Sequence, residues 1–106
     1  MIGEAEKNGA KSKIFQALGN PLRLKIVEQL LSGDRTVSEI VDALDVEQSQ
    51  VSHALKALKG CGIVSSEREG KKIIYSIRDP RIIEVLAISD EILTDIAADL
   101  TKCVCD

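Results

Sequence analysis

The sequence predicts a mainly α-helical domain with one small β-hairpin, in the order α-α-α-α-β-β-α. Apolar residues recur at helical spacing along most of the chain, and alternation typical of strands replaces that spacing only between about residues 63 and 77. Capping signals mark several helix starts. At 106 residues, the chain is long enough for one domain with a modest core. Phe15 and Tyr75 are its only aromatic residues of the Phe, Tyr and Trp class, so this core must be aliphatic.

The first two helices are predicted from helix-ending and helix-starting residues. Residues 1–9 are polar, and we expect them to form a flexible N-terminus. A first helix is predicted from about Ala10 to Leu18. Asn20 and Pro21 then supply an N-cap side chain and a proline at the first helical position, which begins a second helix that extends nearly to Gly33.

The next two helices are joined by a very short turn. Thr36 and Glu39 form a capping-box pattern, which predicts a third helix over about Val37–Leu44. The segment Val46–Leu58 is predicted to contain a fourth helix, and only Asp45 and Val46 separate that helix from the third. Two short helices in this arrangement are typical of a helix-turn-helix, although a helical hairpin in any bundle would have a similar pattern.

The helix within Val46–Leu58 has two different faces. Its apolar face comprises Val51, Leu55 and Leu58. Its polar face comprises Ser49, Ser52, His53 and Lys56. This polar face is rich in hydrogen-bond donors and has no carboxylates, which suits a helix that lies in the major groove of DNA. The alternative interpretation is an ordinary solvated face of an amphipathic helix.

A hairpin with a basic tip is predicted after the fourth helix. One strand includes Ile63 and Val64, the other contains the alternating Ile73, Tyr75 and Ile77, and the segment 68–72 joins them. The basic residues of this segment are Arg68, Lys71 and Lys72. They suit contacts with phosphates that do not depend on base sequence, although charge would also protect an edge hairpin from aggregation. A helix-turn-helix followed by a basic hairpin favours a winged helix-turn-helix that binds double-stranded DNA.

A long final helix is predicted over residues 79–100, after the start signal of Asp79 and Pro80. Its apolar stripe comprises Ile82, Ile83, Leu86, Ile92 or Leu93, Ile96, Ala97 and Leu100. This stripe is too long for one small core to cover. We therefore expect the helix to pair with the same helix of a second subunit, in a homodimer whose two recognition helices lie about 34–36 Å apart. Residues 101–106 are then a cysteine-containing tail of the single domain 1–106.

Charge is distributed unevenly along the chain, whose net charge is −3. Residues 45–78 carry six basic and four acidic side chains, whereas residues 79–106 carry two basic and seven acidic ones. The basic part suits contact with DNA, and the acidic part suits a surface turned away from it. The scarcity of aromatic residues disfavours single-strand binding by stacking. The sequence shows no secretory signal or membrane span, so we expect a cytoplasmic protein with no membrane partner.

The chain resembles the ArsR/SmtB family of winged-helix repressors between about Ala17 and Ile77. The resemblance is carried by ALGNPLRLKIVEQLL, by TVSEIVDALDVEQSQVSHALKALKGCGIV and by EREGKKIIYSI. It implies a homodimeric transcriptional repressor that binds a palindromic operator and is released by an effector. The residues that match the family's groove-facing positions are Gln48, Ser49, Ser52, His53 and Lys56. The hairpin is the wing of this fold. Gln50 and the three basic residues of the wing, Arg68, Lys71 and Lys72, complete the candidate DNA-binding set.

One departure from the family pattern concerns the start of the recognition helix. Glu47 stands where the family commonly has serine, and it is a poor cap. We expect Asp45 to cap toward Gln48 instead.

The resemblance also bears on the effector. The third-helix segment 37–42 lacks the cysteines of one family metal site. A second family site falls by spacing on Asp79, Arg81, Ile92 and Asp95, and both of its histidines are missing. The first site is therefore absent, and sensing of Zn, Ni or Co at the second site is disfavoured.

Three cysteines remain as candidate ligands, namely Cys61, Cys103 and Cys105. Thiolates bind soft ions, so we hypothesise an As(III), Cd or Pb effector, with no obligatory cofactor. Oxidation to a disulfide or persulfide, in a redox- or sulfide-sensing repressor, is the alternative. A third possibility is that Cys61 is only a small buried hydrophobe.

The sequence disfavours two other classes of function. A winged-helix module that binds protein would use the same face, but the basic hairpin and the carboxylate-free helix face disfavour it. An enzyme is disfavoured because His53 is the only histidine and no nucleophile, base or phosphate-binding loop can be assembled around it.

Overall fold

The computed structural model describes residues 3–100. Within them the chain forms helices α1 to α5 and a three-stranded sheet, in a winged helix-turn-helix arrangement that confirms the predicted class. The elements in chain order are α1 (Glu4–Leu18), α2 (Pro21–Leu31), β1 (Arg35–Thr36), α3 (Val37–Leu44), α4 (Gln48–Gly60), β2 (Val64–Glu69), β3 (Lys72–Ile77) and α5 (Arg81–Leu100). The prediction lacked β1.

The starts of α2 and α3 follow from local hydrogen bonds. The Asn20 side-chain oxygen accepts from the backbone amides of Leu22 and Arg23, at 3.0 and 3.1 Å. In the capping box of α3, Thr36 Oγ1 accepts from the Glu39 amide at 3.2 Å, and Glu39 Oε1 accepts from the Thr36 amide at 2.9 Å. These contacts occupy amides that have no partner inside a helix, so they fix where each helix begins.

The prediction for the N-terminus was wrong in one respect. α1 begins at Glu4, not near Ala10, so the residues from Glu4 onward that we expected in a flexible N-terminus are helical. The first turns have no apolar pattern, on which the prediction depended, and are exposed. Glu4 and Glu6 lie in the first turn, where negative charge is favourable at the positive end of the helix dipole.

The core lies between α2, α3, α4 and the base of the hairpin. As predicted, the apolar face of α4 is buried in it. The buried residues are Ala17, Leu18, Ile26, Val27, Leu30, Ile40, Val51, Ala54, Leu55, Leu58, Ile63 and Val64. All are aliphatic, which fits the scarcity of aromatic residues. This packing holds α4 with its opposite face toward solvent.

The sheet is antiparallel, in the order β1-β3-β2. β2 and β3 pair from Val64 opposite Ile77 to Glu69 opposite Lys72. The predicted connection over residues 68–72 was therefore too long, because the ladder continues to a turn of only Gly70 and Lys71. Gly70 has φ of 64°, which a two-residue hairpin turn of this kind requires.

α5 begins directly after Asp79 and Pro80, as their start signal predicted. The Asp79 side chain accepts a hydrogen bond from the Arg81 amide at 2.9 Å. Ile82 and Leu86 pack against the core, while other large apolar residues of α5 are exposed. Among the helices of residues 3–100, none has the length and apolarity that a membrane span requires.

Candidate DNA-binding surface

α4 presents a continuous polar face to solvent. Residues on this face that we predicted to contact DNA are exposed, namely Gln48, Ser49, Gln50, Ser52, His53 and Lys56. Val51, Leu55 and Leu58 on the opposite face are fully buried, so α4 cannot rotate to hide the polar residues. The helix is thus fixed in the orientation that a recognition helix needs.

The turn before α4 differs from our expectation. Asp45 does not cap α4; it ends α3 in the left-handed conformation, with φ of 53° and ψ of 50°, and its amide donates to the Val41 carbonyl at 2.8 Å. Glu47 occupies the N-cap position of α4 and makes no side-chain capping hydrogen bond. A residue in the left-handed conformation allows a tight turn directly after a helix. Asp45 therefore belongs to the end of α3 and not to the start of α4.

Two of the basic wing residues, Lys71 and Lys72, lie near the start of α4. Arg68, Lys71 and Lys72 are all exposed. An open groove of about 690 Å³ separates the wing from α3, and Gln48, Lys71 and Lys72 line it together. The structure therefore brings the tip of the wing and the first residue of the recognition helix to one surface.

Five residues of α3 that we did not predict as part of this surface also line the groove, and three of them are polar. The polar residues are Ser38, Glu39 and Asp42, and the apolar ones are Val37 and Val41. The sequence shows the capping role of Glu39, but its place beside the wing depends on the pairing of β1 with β3, in which Thr36 lies opposite Ile74. Only a signal for β1 could have revealed it, and a strand of two residues shows no alternation.

A side-chain hydrogen bond joins the recognition helix to the wing. Lys59 Nζ donates to Ser66 Oγ at 2.7 Å, between the last turn of α4 and β2. Inside the hairpin, the Ser65 and Ser76 hydroxyls lie 3.1 Å apart. The wing thus contacts both neighbouring elements of the helix-turn-helix, α3 through β1 and α4 through Lys59.

Cys61 lies at the junction of α4, α1 and α5. It is the C-cap residue of α4 and is half-buried, and its Sγ lies 3.9 Å from the Lys13 carbonyl oxygen. It lines a cleft of about 250 Å³ together with Ile14, Asp79 and Arg81, among others. Metal binding or oxidation at this thiol would therefore take place where three helices meet.

The carboxylate in this cleft already has a partner. Asp79 forms an ion pair with Arg81 at 2.7 Å, and hydrogen bonds from the Arg81 side chain and amide lower the pKa of Asp79 to about 2. In the described part of the chain, no three His, Cys, Asp or Glu side chains are grouped so that they could hold a metal ion. Cys103 and Cys105 lie outside the described residues.

Comparison with known proteins agrees with this geometry. Residues 20–66 match the model of a family described as bacterial regulatory protein, arsR family. A probable mercury resistance operon repressor of Streptomyces lividans is 39% identical over 92 residues, which cover 87% of this chain and 74% of that protein. An uncharacterized HTH-type transcriptional regulator of Mycobacterium tuberculosis, Rv0081, is 36% identical over 90 residues, covering 84% and 79% of the two chains.

Solved structures extend the similarity to the arrangement of the elements. The crystal structure of M. tuberculosis Rv0081 aligns with a TM-score of 0.82 at 34% identity, covering 89% of this chain and 95% of that one. A homodimeric winged helix-turn-helix DNA-binding domain from Mycobacterium bovis, described as a possible ArsR-family regulator, aligns with a TM-score of 0.78 at 29% identity, covering 91% and 92%. The chain belongs to the ArsR family of bacterial regulatory proteins, which are winged-helix DNA-binding regulators and not enzymes.

Proposed function

We propose that the protein is a transcriptional repressor that binds a palindromic operator as a homodimer in the cytoplasm and leaves it when an effector binds. The main observation behind this proposal is that Gln48, the first residue of α4 and of its exposed polar face, borders the same groove as Lys71 and Lys72 of the wing. Base edges would be contacted by α4, and phosphates by Arg68, Lys71 and Lys72.

The unpartnered apolar surface supports the homodimer. Phe15 is 60% exposed, and Leu93 is 57% exposed. The other large exposed apolar residues of α5 are Ile83, Val85, Ile88, Ile92 and Ile96. A groove of about 250 Å³ between α1, α2 and α5 continues this surface. A second copy would bury it, and the solved M. bovis relative is described as homodimeric.

Footprinting with the purified protein tests operator binding. We expect two protected half-sites whose centres are about one turn of DNA apart, and binding that weakens steeply as salt rises. A scrambled DNA of the same length and composition is the control. Equal affinity for both DNAs, or no dependence on salt, would contradict the proposal and favour a winged-helix module that binds protein.

For the effector, we propose a thiophilic ion, As(III), Cd or Pb, bound by Cys61, Cys103 and Cys105. The position of Cys61 supports this, because an ion held there would connect the end of the recognition helix to the C-terminal tail. Thiolates are the preferred ligands of such soft ions. The S. lividans relative is named as a mercury resistance repressor, and mercury is also thiophilic.

Mass spectrometry of the reduced protein, titrated with arsenite and with Cd(II), tests the effector. We expect one adduct per subunit, lost in the double variant Cys103→Ser plus Cys105→Ser, and operator release at the same concentration. An adduct that survives in the double variant would contradict the three-thiol site. If no adduct forms, but peroxide converts the thiols to a disulfide, or peroxide together with sulfide converts them to persulfides, and DNA is released, the protein is a redox- or sulfide-sensing repressor.

A further inference from the structure

We propose that Glu39, besides capping α3, limits the affinity of the protein for DNA by offsetting the positive charge of Lys72. This inference rests on the proposed function, because it requires that the wing contacts phosphates. It concerns a residue of α3, outside both the recognition helix and the wing.

The fold brings the two side chains to the same groove. β1 pairs with β3, and Thr36, the N-cap of α3, lies opposite Ile74. Glu39 lies in the first turn of α3, and Lys72 is the first residue of β3. Both line the groove of about 690 Å³, together with Lys71 and Gln48.

Hydrogen bonds hold the Glu39 carboxylate in place. Its Oε1 accepts from the Thr36 amide at 2.9 Å, so the carboxylate cannot turn away without breaking the capping box. The pKa of Glu39 is lowered first by its hydrogen bonds with the backbone and side chain of Thr36, and further by the charges of Arg35 and Lys72. Glu39 is therefore negatively charged at neutral pH.

Two other carboxylates lie near Lys72 but are not held in this way. Asp42 lines the same groove, and Glu69 lies opposite Lys72 in the ladder. Glu39 is the one among these three whose position is set by a capping box. A fixed negative charge beside a phosphate-binding lysine repels the phosphate and competes for the lysine.

The variant Glu39→Gln separates the two roles. Glutamine keeps a side-chain oxygen that can accept from the Thr36 amide, so the capping box remains and the unfolding temperature should hardly change. The negative charge is lost. We expect the dimer to bind its operator roughly threefold to tenfold more tightly, since exposed charge pairs have effects of this order in each subunit. The salt dependence should steepen by up to about one unit per subunit.

Two further variants make the experiment specific. Glu6→Gln makes the same change of net charge in the first turn of α1 and should leave operator affinity nearly unchanged. In a double-mutant cycle, Lys72→Gln should weaken binding and should abolish most of the gain from Glu39→Gln.

Three results would overturn the inference. The first is that Glu39→Gln binds no more tightly than Glu6→Gln, and the second is that its gain persists in full when Lys72 is replaced. The third is that Lys72→Gln has no effect on affinity or on salt dependence, which would show that this lysine does not contact DNA. If the unaltered protein binds no operator at all, the proposed function itself fails.

Discussion

Single side chains on the exposed face of α4 offer different chemistry to DNA. Ser52 has a hydroxyl that can donate to or accept from a base edge or a phosphate. Lys56 is a flexible point charge, suited to phosphates. Both are exposed on a helix whose other face is fully buried at Val51, Leu55 and Leu58, so each can be removed without disturbing the core.

We expect Ser52→Ala and Lys56→Ala to weaken operator binding in different ways. Lys56→Ala should weaken binding to all sequences about equally and lower the salt slope by about one per subunit, because one phosphate contact is lost. Ser52→Ala should leave the salt slope unchanged. Gel shifts over a range of salt concentrations measure both effects. Lys25→Ala, which removes an exposed lysine from α2, is the control, and unchanged binding in both α4 variants would mean that another face contacts DNA.

The ion pair of Asp79 and Arg81 at the start of α5 should lose its stabilising effect at acidic pH. The pKa of Asp79 is about 2, below its ordinary value of 3.8. A lowered pKa means that this contact stabilises the folded protein above about pH 4 and loses that effect as the pH falls toward about 2. In Arg81→Gln, the pKa of Asp79 should rise toward its ordinary value. NMR titration of the Asp79 carboxyl carbon measures the change, and an unaltered midpoint would contradict the role of Arg81.

At the level of elements, features that depend on neighbouring residues could be predicted from the sequence, whereas the short strand β1 could not. The starts of α2, α3 and α5 could be predicted because a capping side chain and its amide partner are only two or three residues apart. The polar face of α4 could be predicted from its periodicity. β1 could not, because it consists of two residues and exists only through pairing with β3, far away in the sequence. The contribution of α3 to the groove depends on that pairing and was missed for the same reason.

The turn of the wing and the last turn of α4 each contain a glycine, and the two glycines provide a matched pair of substitutions. Gly70 has φ of 64°, and a Cβ there would meet no atom within 4 Å, so Gly70→Ala tests backbone strain alone. We expect a destabilisation of about 1–2 kcal/mol. Gly60, in the last turn of α4, also has free space but no positive φ. Gly60→Ala should be stabilising by about 0.4–1 kcal/mol. Urea unfolding measures both, and the same sign of change in the two variants would contradict this account.

At the scale of the whole molecule, the main feature is the apolar surface of α1 and α5 that the core leaves exposed. The sequence predicted that α5 has more apolar surface than its own core can cover, and the structure shows Ile92 and Leu93 more than half exposed. The length of the stripe made this predictable. The contribution of Phe15 was not predicted, because it depends on how α1 packs beside α5.

We expect Leu93→Glu to convert the dimer into monomers, because it would place a charge in an apolar interface. Sedimentation velocity should show the smaller species, and the unfolding temperature should no longer rise with protein concentration. Thr94→Glu introduces the same charge beside Asp90 and Glu91 on the polar side of α5 and should remain dimeric. A Leu93→Glu protein that stays dimeric would place the interface elsewhere.

The separation of acidic α5 from the groove beside the wing also affects how the protein first meets DNA. Among the described residues of α5, none lines that groove, and residues 79–106 carry two basic and seven acidic side chains, more negative charge than the −3 of the whole chain. A protein with a net charge of −3 would be repelled by DNA if its charge were uniform. If the wing contacts phosphates as proposed, we expect this unequal distribution to give the molecule an electric dipole moment that turns the wing toward DNA during diffusion. The encounter is then steered by orientation, and its rate constant should fall as salt screens the dipole.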